Sequence, residues 1–431
     1  MLIHGYTGAI DIVDSNIVNA MNAENISSVL SEDEISLLSQ RGYLTNKTVE
    51  EEQSYVAHFA DVLHRMNSKL YKNFGFVITY DCNFRCPYCF ENIISKHGTA
   101  WSKRTMTKEM VDKAYDAMLK IEPHRELHSN NIILYGGEPL LRENREIVEY
   151  IIKKGHNLGY KFKAITNGYD LNYYSDLISP KFFKSFQISI DGFREKHNSR
   201  KFHFKEGDSF DKVISNISLA IEQGINTSVR INFDRTNIGD REILIKYFEK
   251  IGFTKNPNFT YHAAKVDDFE HSTIKQNSKL FTSLDAINNI ILGDNCFANT
   301  VVNRIIQESK NFFQNKTPWK LCSTSCSAQY GSYMFDPYGD IYPCLEIVGQ
   351  KKHCIGIFSE GKIEWNSIKE YWHSYNVGKN LICKECKYAL LCGGMCRAKE
   401  INNINEGDLT CTLYKSAFSR AINYSYSKYI Y

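Results

Sequence analysis

Between residues 74 and 265 short apolar runs alternate with longer stretches in which apolar residues recur every three or four positions. The runs FGFVITY (74–80), NNIILYG (130–136), YKFKAIT (160–166), SFQISI (185–190), NTSVRINF (226–233) and FTYHAA (259–264) read as strands. TKEMVDKAYDAMLKI (107–121), NREIVEYIIKKG (144–155), SFDKVISNISLAIEQG (209–224) and DREILIKYFEKIG (240–252) read as helices between them. Strand–helix alternation predicts a parallel sheet covered by helices. Six such units with right-handed crossovers close into a partial (β/α)6, TIM-like barrel, in which function collects at the C-terminal strand ends.

Other patterns flank this block. Residues 1–55 form a small α+β unit: LIHGYTGAIDIVD alternates around Thr7 and Gly8 as a hairpin. Ser31, with Glu34 three residues on, is a capping-box signature opening a short amphipathic helix. Residues 266–318 read as a polar helical bridge, 320–415 as a cysteine-rich domain with few periodic segments, and 416–431 as a closing helix with an aromatic face. A domain so poor in apolar periodicity needs metal staples.

Bulk composition narrows the class. Lysine plus arginine total 52 and aspartate plus glutamate 49 in 431 residues, so nothing pulls the chain toward nucleic acid. No apolar run approaches membrane-span length, and the first residues lack signal-peptide character, so the expectation is a cytoplasmic protein without nucleic-acid or membrane partners. In a reducing compartment its 13 cysteines point to metal rather than disulfides. Apart from Cys296 they fall in two groups, 82–89 and 322–411.

The first group, DCNFRCPYCFE, places Cys82, Cys86 and Cys89 directly after the first strand. Three thiolates can share one face of a [4Fe–4S] cluster and leave one iron open, the mark of a reactive metal site. The alternative is a zinc site completed by a distant His or Cys. The second motif, LYGGEPLL (134–141), follows the second strand. Gly136 and Gly137 permit close approach to the backbone, and Glu138 and Pro139 fix the turn.

Together the two motifs resemble the radical S-adenosylmethionine (SAM) superfamily over residues 74–265. The resemblance implies that SAM chelates the open iron and is cleaved to a 5′-deoxyadenosyl radical, which abstracts a hydrogen atom from substrate. It implies a cosubstrate site of Tyr88, Gly136, Gly137, Glu138, Pro139, Asn167, Ser189, Asp191 and Arg200, with His197 and Asn198 completing a family pattern. Glu138 lies in the motif that receives the SAM amino group, and Arg200 suits a carboxylate.

The second group resembles the SPASM domain of radical SAM peptide maturases. That likeness implies two further four-iron clusters, three in all. One is assigned Cys322, Cys326, Cys344 and Cys396, the other Cys383, Cys386, Cys392 and Cys411. Cys354 is an alternative to Cys322, and paired zinc knuckles are the alternative to clusters. Proteins of this layout form thioether, carbon–carbon or ether crosslinks in ribosomally made peptides, or oxidise Cys or Ser to formylglycine in sulfatases. The sulfatase maturases carry an aspartate base directly after the cysteine matching Cys344. Here Leu345 stands there, with Glu346 next as the remaining acidic candidate, and Tyr135 replaces a usually polar residue before the glycines. A leucine takes no proton. The expectation is therefore a crosslinking maturase, with formylglycine formation second and a non-catalytic zinc or peptide-binding protein third. Its partners are a leader-bearing precursor peptide and a reductant such as flavodoxin or ferredoxin. The N-terminal unit resembles a shortened winged-helix module that grips leader peptides by strand addition.

Overall fold

The computed structural model describes residues 1–21, 23, 26–89, 91, 98–266, 300–394, 396–401 and 406–430. Cys296 and most of the expected bridge lie outside them.

The N-terminal alternation forms a short antiparallel ladder, β1 (Leu2–Ile3) against β2 (Ile10–Asp11), with Ile3 opposite Ile10. Gly8 turns between them at φ +71°, and a Cβ there would stand 2.7 Å from the Trp319 carbonyl oxygen. The capping box is present: Ser31 Oγ accepts from Glu34 N at 3.3 Å and Glu34 returns a 2.8 Å acceptor to Ser31 N, opening a helix over Glu32–Gln40. A second box, Thr48 with Glu51, opens a 21-residue helix, Val49–Lys69, that runs straight through residue 55. This helix packs on the cysteine-rich region. Asp61 accepts from Asn376 Nδ2 at 2.8 Å, and His64 Nε2 lies 2.6 Å from the His373 carbonyl.

Each expected barrel strand is present: β3 (Lys72–Val77), β4 (His128–Tyr135), β5 (Lys161–Thr166), β6 (Phe183–Ile190), β7 (Asn226–Phe233) and β8 (Phe259–Lys265). They pair in chain order and all in parallel. Helices Lys108–Ile121, Arg145–Asn157, Phe210–Glu222 and Asp240–Lys250 fall where the periodicity put them. Their apolar stripes meet alternate strand residues in one core, including Val111, Ile151 and Ile217 from the helices and Phe76, Leu134 and Ile188 from the strands. Truncating one such residue to alanine costs about 2–5 kcal/mol.

The cysteine-rich region extends this sheet. β9 (Ser332–Phe335) lies parallel beside β3, followed by antiparallel β10 (Asp340–Tyr342), β11 (Gly356–Ser359) and β12 (Lys362–Trp365). The result is ten strands in the order β12-β11-β10-β9-β3-β4-β5-β6-β7-β8. The closing helix spans Glu406–Tyr429, starting earlier than its aromatic pattern indicated. It packs on helix Thr300–Asn315, where Phe313 meets Tyr426 edge-on at 5.6 Å. Among the described residues no helix is long and apolar enough to cross a membrane.

Candidate active site

The two motifs meet at the ends of β3 and β4. Gly137 N donates to the Thr79 carbonyl at 3.0 Å and Glu138 N to that of Asp81 at 2.8 Å. Gly136 sits at φ +139°, and a Cβ on it would stand 2.1 Å from Thr79 O. On Gly137 it would stand 2.3 Å from Asp81 O. The close approach expected of a ligand is thus made first by the chain leading into the cysteine loop.

Glu138 is buried and spends its carboxylate on the end of β5. Oε1 accepts from Thr166 Oγ1 at 2.6 Å and Leu140 N at 2.9 Å, and Oε2 from Asn167 N at 2.6 Å. Burial, opposed by these donors, pushes its pKa up to about 7. Pro139 offers its carbonyl to Asn144 Nδ2 at 3.4 Å. Asn167 reaches back to the loop, donating to Asn83 Oδ1 at 2.7 Å, with Cys82 Sγ at 3.8 Å. Asn83 in turn donates to Asp170 at 3.0 Å. This chain of bonds fixes the cysteine loop to the ends of β4 and β5. Asn83 sits inside the cysteine motif, whereas Asp170 carried no motif that would have exposed it in the sequence.

The opposite wall joins Tyr88 to the ends of β6 and β7. Ser189 is the penultimate residue of β6, and Asp191 follows, fully buried. Asp191 accepts from Arg200 Nε at 3.0 Å and Asn232 Nδ2 at 3.3 Å. Arg200 also binds Asp234 at 2.7 Å, and its guanidinium lies 5.0 Å from the Tyr88 ring centroid. The carboxylates it pairs with are therefore the protein's own. Its Nη2 is buried with no acceptor among the described residues.

His197 and Asn198 serve the scaffold. His197 Nδ1 accepts from Asp191 N at 3.3 Å, and its Nε2 faces Ser209 Oγ at 3.0 Å. Burial holds it well below the ordinary histidine range, so it is neutral. Asn198 Oδ1 accepts from Ser209 N at 3.1 Å and Phe210 N at 3.0 Å, at the start of helix Phe210–Glu222. A buried lysine that sequence reasoning missed, Lys201, places Nζ 3.7 Å from Cys86 Sγ.

Burial pushes the thiols of Cys82, Cys86 and Cys89 up, Cys89 to about 12. Three such sulfurs are poor anions by themselves, and the positive core of a metal cluster is what would offset their desolvation. All three interact electrostatically, and the Glu138, Asp191 and Glu91 carboxylates add to the upward push on Cys82, Cys86 and Cys89 respectively. Among the described residues no three His, Cys, Asp or Glu side chains are grouped to hold a single metal ion. The thiol donor set fits an iron–sulfur cluster.

The later cysteines gather in two places. Cys344 lies within electrostatic reach of Cys326 and Cys396. Cys383 faces Cys411 and Cys386, and Cys392 faces Cys383 and Cys411. The charge of Cys322 acts on Cys392. The Cys322 backbone N–H donates to Leu390 O at 2.8 Å, and Arg304 Nη2 binds its sulfur at 2.5 Å. Cys354 joins neither set. Its thiol donates to the Gly356 carbonyl at 3.1 Å within an apolar cluster that includes Tyr342 and Val348.

Glu346 enters the first of these groups, since its charge acts on Cys326, Cys344 and Cys396. Leu345 packs instead into the apolar cluster that contains Tyr135. Burial pushes the Tyr135 hydroxyl well up, helped by the charges of Glu91, Cys89, Glu346 and Cys344. The residue before the glycine pair thus feels charge from both cysteine regions.

Residues 76–248 match the model of the Radical SAM superfamily. A cysteine-type anaerobic sulfatase-maturating enzyme of Clostridium novyi (strain NT) is 25% identical over 374 residues, 80% of this chain and 93% of that protein. The radical SAM cyclopropyl synthase TigE of Paramaledivibacter caminithermalis is 24% identical over 465 residues, 98% of this chain and 92% of that protein. The solved structure of native anSMEcpe with bound AdoMet and the Cp18Cys peptide matches with a TM-score of 0.59 at 18% identity, covering 83% of this chain and 99% of that one. At that identity the likeness is one of fold.

Proposed function

Because residues 76–248 of this chain form a radical SAM domain, we propose that it cleaves SAM reductively and modifies a ribosomally made peptide by an intrapeptide crosslink. When bound, a four-iron cluster with one open iron supplies the electron that splits SAM and so generates the hydrogen-abstracting radical. The protein's part is binding and orientation. Cys82, Cys86 and Cys89 would hold that cluster. The Glu138–Asn167–Asn83 bonds keep the loop rigid, and Asp191 and Asp234 orient Arg200 so that Nη2 remains for the SAM carboxylate. Tyr88, 5.0 Å from that guanidinium, is placed to flank the adenine.

The observation that carries the peptide-oxidising reading is that Tyr135 is within electrostatic range of both Cys89 and Cys344. A substrate radical formed near the first cysteine group has a second group close by to receive an electron. We assign two auxiliary four-iron clusters there. One is held by Cys326, Cys344 and Cys396, and the other by Cys383, Cys386, Cys392 and Cys411, with Cys322 as eighth thiolate. We assign leader recognition to the N-terminal unit, where the β1–β2 ladder offers edges for strand addition.

Formylglycine formation is the second reading, favoured by the match to the Clostridium novyi enzyme along 93% of its length. Leu345, turned into an apolar cluster, speaks against it, and Glu346 is the group that would serve as base. Anaerobic purification and product mass separate the readings. Crosslinking predicts protein with about 12 irons and a peptide lighter by two hydrogens. Loss of sulfur from a cysteine would favour formylglycine. Failure to form 5′-deoxyadenosine from SAM and dithionite would reject both.

A further inference from the structure

The six barrel strands contain no aspartate or glutamate, yet an arginine, Arg230, stands in the middle of β7. Side chains alternate between the two faces of a strand. Val229 and Ile231 are buried in the core shared with the helices, so Arg230 belongs to the opposite, inner face. In register it is flanked by Ser189 of β6 and His262 of β8. Asn232 lies two residues further along the same face, about 7 Å away. Its Nδ2 donates to Asp191 at 3.3 Å and to the Tyr88 hydroxyl at 3.4 Å. Arg230 is therefore one step below the wall assigned to SAM. Nothing in the fold engages its guanidinium. Nε is buried without an acceptor, and no hydrogen bond or ion pair holds the other two nitrogens among the described residues. The carboxylates that follow β6 and β7, Asp191 and Asp234, are both taken by Arg200, at 3.0 and 2.7 Å.

We propose that Arg230 selects the peptide by receiving the side-chain carboxylate of an aspartate or glutamate next to the residue that loses hydrogen. The inference rests on the peptide-modifying radical SAM reading above and names a specificity-determining residue for it. A half-buried guanidinium with an orphaned nitrogen carries a desolvation cost that a carboxylate offsets through two parallel hydrogen bonds. The neighbours suit that ligand. His262 bonds Ser228 through Nδ1 at 3.1 Å, and burial, with the Arg230 charge, keeps its pKa below the ordinary range, so it is neutral. Across the barrel Val77, Tyr135 and Ile165 belong to one apolar cluster and bring no carboxylate. Lys163 shares the inner face of β5, but it is exposed and pairs with Ser185, four residues before Ser189. The fork nearest the SAM wall is thus Arg230, with its donors uncommitted.

The test equilibrates the cluster-loaded, SAM-bound full chain anaerobically with a random heptapeptide library and reads the retained sequences by mass spectrometry. The peptides are acetylated and amidated, so that side chains supply the only carboxylates. The parent is expected to enrich aspartate and glutamate over asparagine and glutamine by about ten-fold. Arg230→Gln should abolish that preference. Arg230→Glu should turn it toward lysine and arginine, a gain that misfolding does not produce. Iron content and Tm confirm that each variant is folded. The proposal is overturned if the parent shows no acidic preference, or if Arg230→Gln keeps it. It is also overturned if Arg230→Gln loses SAM affinity with the peptide preference intact, which would give Arg230 to the cosubstrate. A preference seen only when the library has free C-termini overturns it as well, in favour of a terminal carboxylate. Formation of 5′-deoxyadenosine by the parent from SAM and dithionite is read separately. Its absence would sink the radical SAM reading; its presence without an acidic preference sinks the Arg230 assignment alone.

Discussion

The Tyr80 hydroxyl donates to the Asp336 carboxylate at 2.9 Å, joining two residues 256 positions apart. Tyr80 lies two residues before Cys82, and Asp336 directly follows β9. The bond thus ties the approach to the first cysteine loop to the turn of the first hairpin of the cysteine-rich domain. Burial, helped by the nearby Asp340 charge, pushes the Asp336 carboxyl up to about 7, whereas an unfolded aspartate titrates near 4.

A folded pKa above the unfolded one favours the protonated carboxyl. Its contribution to stability is full below about pH 4 and is lost as pH rises through about 7. Asp336→Asn keeps a neutral group there. Over that window, Tm of the variant relative to the parent should therefore rise with pH. A difference that is flat from pH 4 to 7 would show that Asp336 titrates normally.

Gly136 and Gly137 give a steric prediction. Alanine at 136 must hold φ near +139° and place its Cβ on the Thr79 carbonyl. The expected loss is about 2–4 kcal/mol of stability, read as a lowered Tm together with iron lost from the first cluster. A stable Gly136→Ala protein with full iron content would contradict the close approach.

Arg200→Lys keeps a charge but loses the fork that binds Asp191 and Asp234 while leaving Nη2 for a ligand. SAM affinity is expected to fall by about ten-fold or more, with iron content unchanged. Equal loss of iron would mean that Arg200 supports the loop rather than SAM.

Cys322 tests which thiols stand together. Cys383, Cys386, Cys392 and Cys411 already make a set of four, so Cys322 should complete the cluster of Cys326, Cys344 and Cys396, and Cys322→Ala and Cys396→Ala are expected to alter the same EPR signal. If Cys322→Ala instead mimics Cys392→Ala, that assignment fails.

Leader recognition by the N-terminal unit predicts a separation of effects. Ile12 and Leu37 are 57% and 60% exposed there. Ile12→Asp and Leu37→Asp should weaken precursor-peptide binding by about ten-fold, as loss of an apolar anchor does. 5′-Deoxyadenosine formation without peptide should not change. Unaltered peptide affinity would place recognition elsewhere.

Much of the barrel was legible because most strands alternate buried with exposed or half-buried residues and each helix buries one face, which leaves distinct periods in the chain. Strand-end position then made the CxxxCxxC and Gly-Gly motifs neighbours. The pairing of β9 with β3 was not legible, because parallel neighbours so far apart in sequence leave no local signal. Lys201 and Asn83 were missed for a related reason. Their partners, Cys86, Asn167 and Asp170, come from other parts of the chain, and a single buried polar residue has no pattern. Cys322 illustrates the limit of spacing: only three residues separate it from Cys326, yet its backbone N–H bonds to Leu390, far along the chain.

The central claim is that Cys82, Cys86 and Cys89 hold the cluster that splits SAM. It is tested most directly by measuring 5′-deoxyadenosine after anaerobic incubation with SAM and dithionite, comparing the parent with Cys86→Ala. The account predicts product from the parent and none from the variant, which should retain about 8 auxiliary irons of about 12. Equal product from both proteins, or none from a fully iron-loaded parent, would contradict it.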